Sequence, residues 1–342
     1  MFPYYPLPKH SKKKRERLEN QGIHDLTGSQ GRILLDSGGF QLYRKSLSLD
    51  YKDTLGIYKA AQLRTNDHAI ALDFVPFPSD PPDVRIQKIH QTIDTYRAMK
   101  TLDDHVIPVI HGITKKEFEL SFTQIDTPTQ FISFPSNFPM ITMKQKGVND
   151  ESLKDMIMAR FITFLKLLKE KRLDEARIHI LGATGQNSSH LCWFAGMDQT
   201  DSSSWRLKAA YGKIALPEVA EAKISAVKST FGVREWKPEW DAVLKECGCP
   251  ICKHLDVKQR KVELAKGKTE GFNNRCIHNA FVYLQERNLA REMIGHTQYQ
   301  YYLEKRFKGT WWARFLSKVQ ETRHQKGLDL FLRGEVNGIP AK

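Results

Sequence analysis

Short β-rich runs alternate with longer stretches of helical period through most of this chain, and that alternation limits the fold more than any other feature. The runs are Arg32–Leu35, His68–Asp73, His105–His111, Gln130–Phe134 and Arg177–Leu181, with a weaker one at Met197–Thr200. Between and after them, a 3.6-residue period predicts helices over Tyr51–Leu63, Pro82–Lys100, Lys115–Phe122, Glu151–Lys171 and Pro217–Thr230. Strands alternating with helices imply parallel βαβ units.

Polar, chemically capable residues stand at the carboxyl ends of these runs: Asp36, Asp73, His111, Ser133 with Asn137, Gly182 and Asp201. In a (β/α)₈ barrel such ends converge on one face, where active sites are built. An open sheet concentrates them at a single crevice instead. Their spread over nearly every run favours an α/β fold of the irregular (β/α)8 TIM barrel type. No GxGxxG or Walker string occurs, which argues against a Rossmann or P-loop enzyme. From about Trp236 the pattern gives way to a cysteine cluster, a Lys-rich stretch and helical sequence. The expected division is therefore a catalytic barrel with a basic N-terminal arm over residues 1–235, and a zinc-binding subdomain with C-terminal helices over 236–342.

Five cysteines in 342 residues, three of them within six positions, do not resemble a disulfide framework and suit a reducing compartment. No run approaches the roughly 18 apolar residues of a membrane span, and the N-terminus lacks the apolar core of a secretory signal. A cytoplasmic protein without a membrane partner is expected. The net charge of +14 raises the odds of a polyanionic partner. Basic stretches at Lys9–Arg17 and Lys258–Lys268, and the aromatic-basic mixture Tyr301–Trp312, are the places where nucleic acid would be gripped; Trp311 and Trp312 also suit the buried face of a C-terminal helix.

Cys247-Gly-Cys249-Pro-Ile-Cys252 is a C-x-C-x-x-C cluster followed 26 positions later by His278. Thiolates and imidazole suit tetrahedral zinc, and Gly248 and Pro250 favour the tight turns that let the sulfurs converge. His278 is the expected fourth ligand, with His254 and Cys276 as rivals. Four protein ligands leave no open position, so the metal is expected to be structural. Asp36 and Asp201 read as strand-end carboxylates, and a carboxylate pair across a barrel mouth is what chemistry at an anomeric carbon needs.

The strings Asp36-Ser37-Gly38-Gly39-Phe40-Gln41, Gly196-Met-Asp-Gln-Thr-Asp201-Ser202 and CxCxxC with the distant His278-Asn279 occur in that order. Together they resemble the tRNA-guanine transglycosylase superfamily over roughly Leu34 to Leu284. The resemblance implies a (β/α)₈ barrel with a zinc-binding subdomain, and base exchange in which a guanine leaves a nucleic acid and a 7-deazaguanine replaces it. By that resemblance Asp201 matches the nucleophile at C1′ and Asp36 the general acid/base. Asp73 matches the carboxylate that reads the guanine edge. Ser37, Gly38, Gly39, Phe40, Gln41, His111, Gly112, Gly182 and Arg206 complete the expected substrate contacts, with Phe40 or Phe74 offering a stacking face. His111-Gly112 stands where those enzymes usually have Gln-Gly. Only 35 residues precede Asp36, fewer than the usual N-terminal portion with its first strand.

The sequence Ser202-Ser-Ser-Trp205-Arg206 with Ala209-Ala-Tyr-Gly212 is more similar to the 7-deazapurine-in-DNA branch (DpdA family) than to the tRNA enzymes. DNA is thus favoured over tRNA as the partner, with a small base such as 7-cyano-7-deazaguanine (preQ0) as co-substrate and accessory proteins of a DNA-modification system as further partners. The alternatives are the same exchange on tRNA and a non-catalytic nucleic-acid-binding subunit. The latter has no need of both Asp36 and Asp201.

Overall fold

The computed structural model describes residues 2–3, 12–38, 50–128, 130–136, 150–173, 175–183, 185–225 and 236–322. It is a mixed α/β structure with small parallel sheets. The chain divides into two compact units, Met1–Asn137 with Lys144–Leu181, and Phe138–Met143 with Gly182–Lys342. The change of pattern at Trp236 falls inside the second.

In the first unit, parallel strands follow one another in chain order among the described residues. β1 (Phe2–Pro3) pairs with β2 (Leu34–Asp36), β2 with β3 (His68–Ile70), β3 with β4 (Val106–Ile107), and β5 (Phe131–Pro135) with β6 (Arg177–Leu181). Between β4 and β5 the contact is the parallel bridge Val109–Ser133, where Ile110 N donates to Ser133 O at 2.8 Å. The crossovers carry α1 (Lys12–Thr27), α2 (Tyr51–Ala61), α3 (Pro82–Lys100), α4 (Lys115–Ser121) and α5 (Asp150–Glu170). Local chemistry starts these helices: Asp50 caps α2 by accepting from Lys52 N, Pro82 opens α3, and Thr114 with Glu117 forms a capping box on α4.

Two expectations about the N-terminus need correction. The stretch before Asp36 does hold a first strand, β1. The basic run expected as an arm enters helix α1, where Lys13, Arg15 and Arg17 are exposed, while Leu18 and Ile23, on either side of the non-helical Gly22, are buried in the core with Leu55 and Tyr58. Gly22 kinks this helix at φ +69, where a Cβ would lie 3.4 Å from the Gln62 side chain.

The second unit contains α6 (Gln186–Phe194), β7 (Gln199–Thr200), α7 (Ser204–Ala210), β8 (Lys213–Leu216), β9 (Ala220–Lys223), α8 (Trp240–Lys245), α9 (Val257–Ala265), α10 (Lys268–Met293), α11 (Thr297–Phe307) and α12 (Trp311–Thr322). The helix expected over Pro217–Thr230 is overturned. β8 and β9 form an antiparallel hairpin turning at Pro217-Glu218, with Glu218 at φ +59. The described part of that stretch alternates Ala220 and Ala222 with Glu221 and Lys223, which suits a strand as well as a helix, and the adjacent Ile214 and Leu216 supply the buried partner face. Residues 226–235 lie outside the described ones. Among the described residues, no helix is long and apolar enough to cross a membrane.

One buried ion pair ties α1 to the strand array. Asp67, just before β3, accepts from Ile33 N at 2.7 Å through Oδ1 and from Arg64 N at 2.7 Å through Oδ2. His24 Nε2 lies 2.7 Å from the same Oδ2, and its Nδ1 lies 2.9 Å from Ser29 O. A carbonyl and a carboxylate can only accept, so both ring nitrogens must donate and His24 is an imidazolium. Its pKa is raised by the bond to Asp67 and then by that to Ser29. Burial pushes Asp67 up, but His24 and the two backbone amides prevail and hold it low. The stability contributed by a raised histidine is present below its unfolded pKa near ~6.5 and lost as pH rises through the folded value. The aspartate's share is present above its unfolded value near ~3.9 and lost as pH falls through the depressed one. Urea titrations should therefore give a stability loss on the alkaline side of the folded His24 pKa. Asp67→Asn should abolish that limb and cost about 3 kcal/mol, the effect of breaking a buried pair.

Candidate functional site

The cysteine cluster becomes a site through the local turn and one distant helix. After α8, Cys247 N donates to Leu244 O at 3.1 Å, and both Cys252 N and Lys253 N turn back onto Cys249 O at 2.9 and 3.0 Å. Those bonds point three sulfurs inward toward His278 on α10. Cys247, Cys249, Cys252 and His278 are all buried, and their ligand atoms lie within 4.8 Å of one another. His278 Nδ1 is 3.5 Å from Cys247 Sγ and 3.6 Å from both other sulfurs. A tetrahedral ion with bonds to sulfur of ~2.3 Å and to nitrogen of ~2.0 Å has sulfur–nitrogen edges of about 3.5 Å. One nitrogen cannot hydrogen-bond three sulfurs well, whereas it can share a metal with them. The donor set fits a metal ion, with His278 the fourth ligand. His254 and Cys276 stand outside this group.

The other face of the imidazole is fixed too. His278 Nε2 donates to Ala215 O at 2.9 Å, which sets the tautomer that would present Nδ1 to a metal ion. The neighbouring Asn279 accepts from Ala215 N at 2.7 Å and donates to Trp205 O at 2.9 Å and Lys213 O at 3.2 Å. Around the ligands pack Ile214, Leu216, Trp240, Leu244 and Leu264. Burial pulls the His278 pKa down, but bonds to Cys247 and Cys249 lift it to about 9. Cys247 is drawn far below the usual thiol value by Cys249 and Cys252. A cation replaces these protons, so metal binding must weaken as pH falls.

The basic segment Lys258–Lys268 is largely spent on internal contacts. Arg260 is buried and donates to Leu255 O at 2.7 Å and to the carbonyls of Leu244 and Lys245. Lys261 pairs with Asp241 over the Trp236 ring, and Lys266 bridges Glu263 and Glu270 at 2.8 and 2.7 Å. Trp311 and Trp312 are half-buried and pack on Phe315.

In the first unit the parallel strands bring Asp36, Ser37, Asp73 and His111 to the same edge of the array. Asp36 closes β2 and accepts from Gly38 N at 3.3 Å, a short turn helped by φ +77 at Gly38. Ser37 Oγ donates to Asp73 Oδ1 at 3.3 Å, while His111 Nε2 lies 2.9 Å from Asp73 Oδ2. His111 is only 1% exposed, against 9% for Asp73. The imidazole is thus a buried support that orients the carboxylate. Asp36 and Asp73 both bear on the buried Tyr58 phenol, whose pKa burial and then these two carboxylates raise far above its ordinary value. Gly39, Phe40 and Gln41 lie outside the described residues. Phe74 is half-buried, its N–H held by Thr92 Oγ1 at 3.0 Å.

Gly112 has a packing reason of its own. A Cβ there would lie 2.6 Å from Phe118 Cγ and 2.8 Å from Phe118 N. Its carbonyl, with that of Pro135, accepts from the buried Arg160 guanidinium, which sits 4.4 Å from the Phe134 ring centroid. Burial lowers the Arg160 pKa to about 9. In the second unit, Asp201 follows β7 and accepts from Gly182 N at 2.8 Å. Gly182 is at φ +70, and Arg206 is exposed with its guanidinium 6.0 Å from the Phe272 ring centroid.

Sequence reasoning passed over Arg160 and the clamping role of Asn279. Their partners are backbone carbonyls and amides far away in the chain, which leave no motif. No protein-family profile matches this chain, and a comparison with curated proteins finds none that matches.

Elemental analysis of the purified protein should give one bound metal per chain, lost on acidification and absent from His278→Ala. Chelation should lower the melting temperature, because ligand convergence and folding are coupled. Gly112→Ala should destabilise by about 1–3 kcal/mol, the cost of overpacking.

Proposed function

We propose that this chain is a transglycosylase that exchanges guanine in DNA for a 7-deazaguanine, and that its Cys3His group holds a structural zinc ion. The observation that carries the reading is the Asp36–Ser37–Asp73–His111 cluster at the carboxyl ends of parallel strands. The motif order that places Asp201 and the metal ligands after it adds support. In this reading the strand array belongs to an irregular (β/α)₈ barrel, and the metal-bearing helices form its subdomain.

The roles follow from the resemblance. Asp201 attacks C1′ of the target nucleotide, the C1′–N9 bond breaks, and a glycosyl-enzyme ester forms while guanine departs. Asp36 hands the proton to the leaving base and takes one from the incoming 7-deazaguanine, whose nitrogen then displaces Asp201. Asp73 accepts from the N1–H and exocyclic amine of guanine. Both its oxygens keep lone pairs for this beyond the bonds from Ser37 and His111. The nucleotide must leave its stack, at a cost of a few kcal/mol. Zinc would be held by the three thiolates and His278 and, with four protein ligands, would hold the fold only.

Incubation with labelled 7-cyano-7-deazaguanine and either duplex DNA or unmodified tRNA should leave label in DNA. Label in tRNA alone would move the same chemistry to the other polymer. Asp201→Ala should abolish both incorporation and the covalent adduct, and full activity in that variant would exclude it as nucleophile. Asp73→Asn should lower kcat/KM by at least about 100-fold, since it sets a donor against a donor.

A further inference from the structure

Side chains along the strands of the first unit alternate between two faces. Ile33, Leu35 and Ala69 lie in the core with Leu18 of α1 and Leu55 of α2. Leu34, Ile70, Ile107, Phe131 and Leu181 form a separate apolar cluster on the opposite face. At the amino ends of the strands that second face turns basic. Arg32, His68, His105 and Arg177 each stand an even number of residues before a member of the cluster, and Asp36 stands beyond Leu34 at the other end. The face thus runs from basic through apolar to acidic.

Contacts hold the basic end together. Arg177 Nη2 lies 3.4 Å from His68 Nε2, and its guanidinium carbon lies 4.8 Å from the Phe131 ring centroid, which His68 meets edge-on at 4.9 Å. A guanidinium can only donate, so His68 Nε2 accepts and the imidazole is neutral. Burial, and then the charges of Arg177, His105 and Arg32, lower the His68 pKa to about 4. Asp67 is committed to His24 and two backbone amides, and Asp103 to His105 at 2.8 Å. Arg32 and Arg177 are exposed, and among the described residues neither has an ion pair with a carboxylate. Two positive charges therefore face water uncompensated, and one of them is already oriented by an aromatic face and an imidazole.

We propose that Arg32 and Arg177 bind a dianionic phosphate group, free or as a monoester, at the amino edge of the parallel strands. Charge selects this ligand. Two guanidinium groups match its two charges, and each offers paired N–H donors to its oxygens. A carboxylate or a backbone phosphodiester brings only one charge. His68 and Phe131 hold Arg177 in place before the ligand arrives, which reduces the ordering that binding must cost. Arg32 precedes Asp36 by four residues, about 13 Å along an extended strand. The site is separate from the carboxylate edge and does not rest on the base-exchange reading.

Isothermal titration of the full chain at about pH 8, where phosphate is a dianion, tests the assignment, with chloride holding the ionic strength constant. Inorganic phosphate should bind the wild type, and Arg32→Gln and Arg177→Gln should each weaken it by about 10-fold or more. Both positions are exposed, so both variants should melt like the wild type in chloride. Arg177→Lys keeps the charge but loses the fork, and should fall between wild type and Arg177→Gln. Binding of methyl phosphate beside inorganic phosphate would assign the site to monoesters, and its exclusion would assign it to the free ion. Dimethyl phosphate, with one charge, should bind at least about 10-fold more weakly than the dianion. Equal affinity for the diester would overturn the dianion. Absence of phosphate binding by the wild type, or undiminished affinity when both arginines are replaced by glutamine, would overturn the site.

Discussion

Thiolates cannot be buried without a cation beside them, and the core of the second unit is arranged around that requirement. Cys247, Cys249 and Cys252 come from one tight turn, while the fourth donor arrives on α10. An ion held by all four would fasten the turn to the helix. Because His278 and Asn279 are consecutive, the turn of α10 that reaches the metal also takes both backbone groups of Ala215 on β8. With a metal bound, turn, hairpin and helix would form one cooperative piece.

The first unit solves a related problem without a metal. Parallel strands end in loops whose carbonyls have no ladder partner, and those loops are where Asp36, Asp73 and His111 sit. Arg160 supplies the missing donors by reaching the carbonyls of Gly112 and Pro135 from α5. Its charge lies against the faces of Phe134 and Phe118. The acidic edge is thus framed by a cation that holds the backbone beside His111.

Much of this was legible in the sequence. Period alone located α2, α3, α4 and α5, and the positions of β2 to β6 followed from short apolar runs. Spacing located three candidate ligands, His254 follows Cys252 too closely to close the tetrahedron, and the choice between His278 and Cys276, which share one helix, needed the folded geometry. The failures share one cause. Pro217–Thr230 was misread because alanine is compatible with both periods, and only the long-range partners Ile214 and Leu216 decide between them. Lys258–Lys268 looked like free positive charge, yet whether an arginine faces water or a carbonyl depends on folded neighbours. Asp36 and Asp201 were singled out by motif and by their place at strand ends, but the supporting bonds from Ser37 and His111 to Asp73 cross more than 30 residues and leave no local trace.

The clamp on Ala215 has a consequence for association. A two-stranded hairpin exposes an outer row of amides and carbonyls, the kind of edge onto which another chain can add a strand. Here Ala215 N–H, Ala215 C=O and Lys213 C=O are occupied by side chains of α10. Two side chains on a helix stand in for the missing neighbouring strand. Because one of them is also a metal ligand, losing the ion uncaps that edge at the moment the core loosens. An ion bound there would thus also help to keep the outer edge of β8 closed to another strand.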